Sequence, residues 1–579
     1  MYDLVIRGGT IVDGTGQPRF VGDVAIDAGT IVAVGTVTDR GRREIDATGL
    51  LVTPGFVDIH THYDGQATWD SVIAPSSWHG VTSIVMGNCG VGFAPAAPDK
   101  HSFLISLMEG VEDIPETALS EGLPWNWESL PEYFDSVDSR PHSVDIGAQV
   151  PHAALRAYVM GERGADHLED PTPDEIAEMS RLTAEALRAG AVGFATSRTY
   201  NHRAKNGQSI GTLTAKSEEL LGIGQALKET GLGVFQFVSD FRDVEFELGL
   251  MRRLAEESGR PLSVSLAQAD QAPDRWREVI AYMERAKDEG VDMKAQVCAR
   301  PIGLLMGIEA TVNPFMYTGG YREIASLPLA ERVAKMRTPE VRERILQEYA
   351  TPVKEMMGAA ARSPHKMFRM DDPPNYEPEA ESSLAVEAER KGVDAGDVIY
   401  DALLENDGHA LLYYPLSNYT GFSLDAAHTM NSSERTIPGL SDGGAHVGLI
   451  CDASFPTSNI TIWCRDRVRG EQLPLEHVIK RQTQDTASHV GWMDRGVIAP
   501  GYKADVNVID FDRLQLHPPT MEYDLPAGGK RLLQRADGYR FTIKSGEVTF
   551  ENGEHTGALP GRLVRGAQPA PVAYTAGQR

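Results

Sequence analysis

The feature that most constrains the fold is a rhythm. Short apolar segments at 54–60, 82–88, 144–150, 191–196, 233–238, 262–267, 293–298 and 410–416 alternate with helical stretches, and a further short strand runs into Ser441-Asp442. The helical stretches include 173–189, with Thr172 as N-cap and Gly190 at its stop, and 214–229, 243–257 and 275–288. Strands alternating with helices build a parallel sheet covered on both faces. A doubly wound sheet fits that alternation, but eight or more βα units in one chain favour a closed (β/α)8 TIM-like barrel. Nine candidate strands for eight places leave one of the last three outside the ring.

Residues 302–380 break the rhythm with methionines, a charged helical stretch at 329–347 and Asp371-Asp372-Pro373-Pro374. They read as an insertion that folds over the barrel mouth. At 579 residues the chain is too long for one core. Residues 1–52 carry β-branched runs such as Leu4-Val5-Ile6-Arg7 and Thr30-Ile31-Val32-Ala33-Val34 with Gly and Asp at the bends, and 491–565 returns to that texture. Both ends are expected to build one small β-sandwich around a barrel domain at 53–490; two independent end domains are the alternative. Residues 566–579, rich in Ala, Pro and Gly, read as a loose tail.

The net charge of −27 would repel phosphate backbones and anionic lipid, so neither nucleic acid nor a membrane surface is an expected partner. Four cysteines in such a length make no disulfide framework. The first residues lack the basic start and apolar run of a signal peptide, and the expected location is cytoplasmic.

Three motifs carry chemistry. In Pro54-Gly55-Phe56-Val57-Asp58-Ile59-His60-Thr61-His62 an apolar strand ends in His-x-His. Residues i and i+2 of a strand point the same way, so both imidazoles face one point, half of a zinc-type site. Alone, such a pair is commonly two core histidines; at the end of the first barrel strand it reads as metal ligation. In Ser83-Ile84-Val85-Met86-Gly87-Asn88-Cys89-Gly90 the next strand ends in a turn around one cysteine, whose thiolate could ligate or bridge metals. The bland reading of Cys89 is a small buried thiol, and the other three cysteines are read that way. In Pro438-Gly439-Leu440-Ser441-Asp442-Gly443-Gly444-Ala445-His446 an aspartate closes a late strand, placed to ligate a metal and take a proton from water. An Asx-type turn would also explain Ser-Asp-Gly-Gly.

In this order and frame the motifs resemble the amidohydrolase superfamily, and within it the D-aminoacylase (N-acyl-D-amino-acid deacylase) branch. The resemblance covers nearly the whole chain. It includes Asp3-Leu4-Val5-Ile6-Arg7-Gly8-Gly9-Thr10, Gly87-Asn88-Cys89-Gly90, Ala189-Gly190-Ala191-Val192-Gly193-Phe194 and Arg495-Gly496-Val497-Ile498-Ala499-Pro500-Gly501. It implies His60 and His62 as metal ligands, Cys89 in the place a carboxylated lysine holds elsewhere, and Asp442 as ligand and general base. The branch also supplies one histidine from each of the fifth and sixth strands. Here those segments read Gly233-Val234-Phe235-Gln236-Phe237-Val238-Ser239-Asp240 and Pro261-Leu262-Ser263-Val264-Ser265-Leu266-Ala267-Gln268-Ala269-Asp270, without a histidine. Val238 and Leu266 fall where imidazoles are expected. The surviving set of His60, His62, Cys89 and Asp442 suits a single zinc ion, tetrahedral or widened to five ligands.

Further site candidates are His152, as a donor to an oxyanion at the mouth, and His202 with Arg198, Arg203 and Lys205, as a cationic loop for a substrate carboxylate. Solvated loop charges are the plain alternative. The expected function is hydrolysis of an amide bond in a small molecule, an N-acyl amino acid by resemblance, with the D preference resting on resemblance alone. A cyclic amide such as a hydantoin or dihydropyrimidine, or a deaminated base, is the alternative substrate. A barrel that lost metal hydrolysis and serves as a binding protein or metal-free catalyst is the rival from another class. A homo-oligomer stays open.

Overall fold

The computed structural model describes residues 1–351 and 360–572. Eight parallel strands form the central ring: β1 Phe56–Asp58, β2 Val81–Met86, β3 Asp145–Pro151, β4 Gly193–Arg198, β5 Val234–Ser239, β6 Leu262–Leu266, β7 Met293–Val297 and β8 Thr436–Pro438. Each strand pairs in parallel with the next, from β1 to β8. Every residue of β2 and β3 is buried, as a strand covered on both faces requires. Helices pack outside; Pro173–Ala189 starts at a Thr172/Glu175 capping box and stops at Gly190, whose φ of 118° suits glycine.

The ring closes through backbone beyond the last residues of β1 and β8. Asp442 N donates to His60 O (3.2 Å) and His62 N to Gly443 O (2.8 Å), with Thr61 and Gly443 bridged in parallel. Below this seam, the buried Asp58 carboxylate accepts from Ser441 Oγ and from His60 N. The two chemical motifs thus meet because the first and last strands must.

The ninth candidate strand, 410–416, is the one outside the ring. Leu412–Pro415 pairs antiparallel with Gly303–Met306 and Phe368–Arg369 in a separate three-stranded sheet. That sheet belongs to the insertion, which has its own core around Met306, Phe315, Met336, Ile345, Leu384, Ile399 and Tyr400. Helices Leu384–Lys391 and Ala395–Leu403 carry the insertion past the expected limit of 380.

Both ends of the chain build one nine-stranded sheet. Leu51–Pro54 pairs antiparallel with Val506–Ile509, and Ile6, Ile11, Val24 and Ile26 pack with Val506, Val508 and Ile543. This pairing excludes two independent end domains. Within the C-terminal stretch, Thr520–Leu525 and Gly529–Leu533 leave that sheet as a hairpin; Leu532 N reaches Val447 O (2.5 Å), beside the loop that follows β8. Sheet and barrel are joined under the ring, where Asp145 opens β3. Its buried carboxylate meets Arg495 Nη1 (2.7 Å), Lys503 Nζ (2.7 Å) and Lys544 Nζ (2.9 Å), and Lys544 is shared with Asp505 at 2.9 Å. Of the expected tail, Gly566 and Gln568 are tied to Gly190 and Gly491 by backbone bonds, and 573–579 lies outside the described residues. Among the described residues no helix is long and apolar enough to cross a membrane.

Candidate metal centre

His60 and His62 follow β1 and are fully buried. The His60 Nδ1 lies 2.6 Å from Gln296 Oε1 on β7, an acceptor only, so Nδ1 carries the proton and Nε2 is free. Gln296 is itself fixed by donating to Ser263 Oγ on β6 (3.0 Å). The two rings stand edge to face, with centroids 5.5 Å apart.

Cys89 brings its sulfur to the same point by an unusual backbone. It has φ 56°, between Gly87 at 80° and Gly90 at 71°. A side chain at Gly87 would sit 2.7 Å from the Gln149 carbonyl, so the tight turn needs glycine there. The Cys89 N–H donates to Gln236 Oε1 (2.9 Å), and Asp64, buried behind, accepts from Gly87 N (3.2 Å). Sγ ends 3.4 Å from His60 Nε2 and 3.8 Å from His62 Nε2.

Asp442, also left-handed at φ 48°, faces the same pair: Oδ1 is 3.4 Å from His60 Nε2 and 3.7 Å from His62 Nε2. Strained backbone at two converging side chains is typical of a site held by its surroundings. The ligand atoms of His60, His62 and Cys89 all lie within 4.8 Å of one another.

These spacings fit a bound cation. Donors about 2.0–2.3 Å from one zinc lie about 3.3–3.8 Å from each other in a tetrahedron. The contacts of Cys89 and Asp442 with the two Nε2 atoms, 3.4–3.8 Å, match that, and those of Asp442 are too long for good hydrogen bonds. Asp442 Oδ1 and His62 Nδ1 are buried without a hydrogen-bond partner among the described residues. The electrostatics are mixed: burial lowers the His62 imidazole, but Glu112, Cys89 and Asp442 outweigh it and raise it well above its usual value. Burial pushes the Cys89 thiol up to about 12 and the His60 imidazole down to about 4. Burial alone would raise the Asp442 carboxyl, but His62, His60 and His446 outweigh it and hold it below its usual range. A buried thiol beside a carboxylate is a poor arrangement alone and a good one around a dication, which deprotonates a coordinating thiol.

No ligand comes from β5 or β6. Val238 and Leu266 offer none, Gln236 is spent on Cys89 N, and Gln268 binds the Asn418–Thr420 segment. Asp240 accepts from Thr199 and Tyr200, and Asp270 from Lys366 and Thr420.

The other candidates divide. His152 does not face the mouth. It begins the helix His152–Met160, and its ring is buried between Thr196 Oγ1 (2.8 Å) and Glu219 Oε1 (3.0 Å), so both nitrogens are engaged. Arg198 is clamped by Glu247 (3.0 Å), Arg203 by the Tyr200 and Gly207 carbonyls, and Lys205 by Glu109 (2.7 Å). Arg198 and Lys205 are thus paired with carboxylates, and among the described residues Arg203 is bonded to backbone carbonyls alone. His202 bonds Ser197 Oγ through Nδ1 (2.8 Å) and lies within electrostatic reach of His446, His62, Asp442 and His60; burial lowers it to about 3. Two residues given no role from sequence stand at the centre. Glu112, at the end of α1 (His101–Glu112), has Oε1 3.4 Å from His62 Nδ1. His446 Nε2 lies 3.5 Å from Glu112 Oε2 and 3.9 Å from Asp442 Oδ2. His446 stood in the Asp-Gly-Gly-Ala-His run; Glu112 had no local signal.

The chain belongs to the amidohydrolase family, whose family model matches residues 43–550. It is 30% identical over 292 residues to the D-aminoacylase of Alcaligenes xylosoxydans xylosoxydans, a match covering 49% of this chain and 55% of that one. The chain spans about half the length of the curated relatives it matches. Among solved structures it resembles a D-aminoacylase described with a binuclear metal centre (TM-score 0.65, 22% identity, 98% of this chain and 100% of that one). It also resembles the N-acyl-D-glutamate deacylase of Bordetella bronchiseptica in complex with zinc and a phosphonate inhibitor (TM-score 0.64, 22% identity, 97% and 99%). These structural likenesses establish the shared barrel fold.

Proposed function

We propose that this chain is a cytoplasmic, zinc-dependent amidohydrolase that deacylates an N-acyl amino acid or a related small amide, with one ion held by His60, His62, Cys89 and Asp442. The observation that carries the reading is the meeting of two imidazole Nε2 atoms with a thiol and a carboxylate at 3.4–3.8 Å. A single ion accounts for β5 and β6, which present Val238 and Leu266 where a second would need ligands. The D-configured substrate follows the named activities of the relatives, a D-aminoacylase and deacylases of N-acyl-D-glutamate and N-acyl-D-aspartate.

When bound, zinc supplies Lewis acidity, making a water acidic near neutral pH and polarising a carbonyl. His60 and His62 would hold it through neutral Nε2 atoms, with Gln296 fixing the other nitrogen of His60 and Glu112 Oε1 lying 3.4 Å from that of His62. Asp442 takes the proton of the attacking water and returns it to the leaving nitrogen as the amide opens.

Elemental analysis of the purified protein tests the reading, alongside a screen of N-acyl-D- and N-acyl-L-amino acids, hydantoins and dihydropyrimidines. We expect one zinc per chain, loss of metal and activity together in His60→Ala, and turnover of an N-acyl-D-amino acid. A chain that binds no metal would leave the binding-protein reading in its place.

A further inference from the structure

The Glu112 carboxylate is 1% exposed, yet among the described residues no arginine or lysine pairs with it; its two oxygens face two histidines. Oε1 is 3.4 Å from His62 Nδ1, and neither atom has a hydrogen-bond partner among the described residues. Oε2 is 3.5 Å from His446 Nε2. The Glu112 backbone carbonyl also accepts the His446 N–H. The next residue, Asp113, receives Gly448 N (3.1 Å) and Thr311 Oγ1 (2.8 Å). The end of α1 is therefore a shelf on which the loop after β8 rests.

Burying a carboxylate this deeply is costly without a specific partner. An imidazole with one nitrogen toward a metal and the other toward a carboxylate is such a partnership, because the acceptor fixes the tautomer and raises the basicity of the ligating nitrogen. We propose that Glu112 is a positioning residue that serves both halves of the site. Its Oε1 keeps the proton of His62 on Nδ1, turning the Nε2 lone pair to the metal. Its Oε2 holds His446 beside Asp442 Oδ2. His446, with 22% of its side chain exposed, is the most open of the histidines around Asp442 that contact it. The inference rests on the reading that His60 and His62 hold the ion.

The test is zinc affinity, measured by competition against a chromophoric chelator with the full-length protein. Glu112→Ala is expected to weaken zinc about 10–100-fold, and Glu112→Gln, which retains an acceptor oxygen, to recover part of that loss. Asp113→Asn and His446→Ala, on the same shelf but not on the His62 side, are expected to hold zinc within threefold of the wild type. With zinc saturating, the losses in kcat/KM from Glu112→Ala and His446→Ala should fail to add in the double variant. Wild-type zinc affinity in Glu112→Ala, equal losses in Asp113→Asn, or additive kinetic losses would each overturn the proposal. A wild-type protein without zinc would instead remove the reading beneath it.

Discussion

Asp145 offers a sharp test of how the two halves of the molecule are joined. Its carboxylate receives Arg495 and Lys503 at 2.7 Å and Lys544 at 2.9 Å, and Oδ1 also accepts Arg562 N at 3.0 Å. Asp145→Asn keeps the shape and removes the charge, leaving three cations to Asp505 and the Asp494 partner of Arg495. Stripping one partner from a buried ion pair costs about 3–5 kcal/mol, because the remaining charge is uncompensated. With a urea dependence of about 2–3 kcal/mol per molar, that is a midpoint shift of about 1–2.5 M. The assay is urea unfolding followed by circular dichroism. The first transition is compared between variants, since a chain with several cores need not unfold in one step. Burial alone would raise the Asp145 carboxyl, but Lys544, Arg495 and Lys503 outweigh it and hold it well below its usual range. Its folded pKa is thus depressed. The stabilisation is complete above the unfolded value of about 3.9 and is lost as pH falls below it, so wild type and variant should converge in acid. Asp145→Asn/Lys544→Met should regain part of the loss, as apolar replacements of buried pairs do. A midpoint shift under 0.3 M at pH 7, or a gap that widens in acid, would refute the reasoning.

Three further outcomes follow from the same geometry. Cys89→Ser, which exchanges a soft donor for a poor one, should release most of the zinc while keeping the fold, checked by metal analysis and circular dichroism. Gln296→Leu removes the acceptor of His60 Nδ1 and should weaken zinc about 10–100-fold, read by chelator competition. His79 is fully buried and neutral, between Thr457 Oγ1 and the Gln534 carbonyl, and burial lowers it from 6.5 to about 3. The unfolded chain therefore binds a proton that the folded one refuses, and this lowers stability by about 1.4 kcal/mol per pH unit below about 6.5. His79→Gln should remove that much of the slope between pH 6 and 4 in urea titrations.

The motifs that read clearly from sequence are those whose meaning is local. His-x-His just past a strand end brings two rings to one point, and Gly87-Asn88-Cys89-Gly90 announces its turn through glycine. What misled was length and reach. The eighth strand has three residues, too few for a pattern, while the apolar run at 410–416 has the texture of a barrel strand and serves the insertion's sheet. His152 and Arg198 looked available because their partners, Glu219 and Glu247, lie 67 and 49 residues further on. Glu112 is the converse case: it is an ordinary helix-end glutamate until the loop after β8 arrives against it.

The seam between β8 and β1 has a thermodynamic consequence. The backbone that shuts the hoop at His60–Asp442 and His62–Gly443 is the same backbone that presents three of the four proposed donors. An ion gripped there acts as a rivet, and by linkage each increment of its affinity is also an increment against the hoop springing open. If His60, His62, Cys89 and Asp442 hold the ion as proposed, amide hydrogens along that join should exchange faster on chelation than those of β3 and β4 across the ring, and the supply of metal would set how long the fold endures as well as how fast it works.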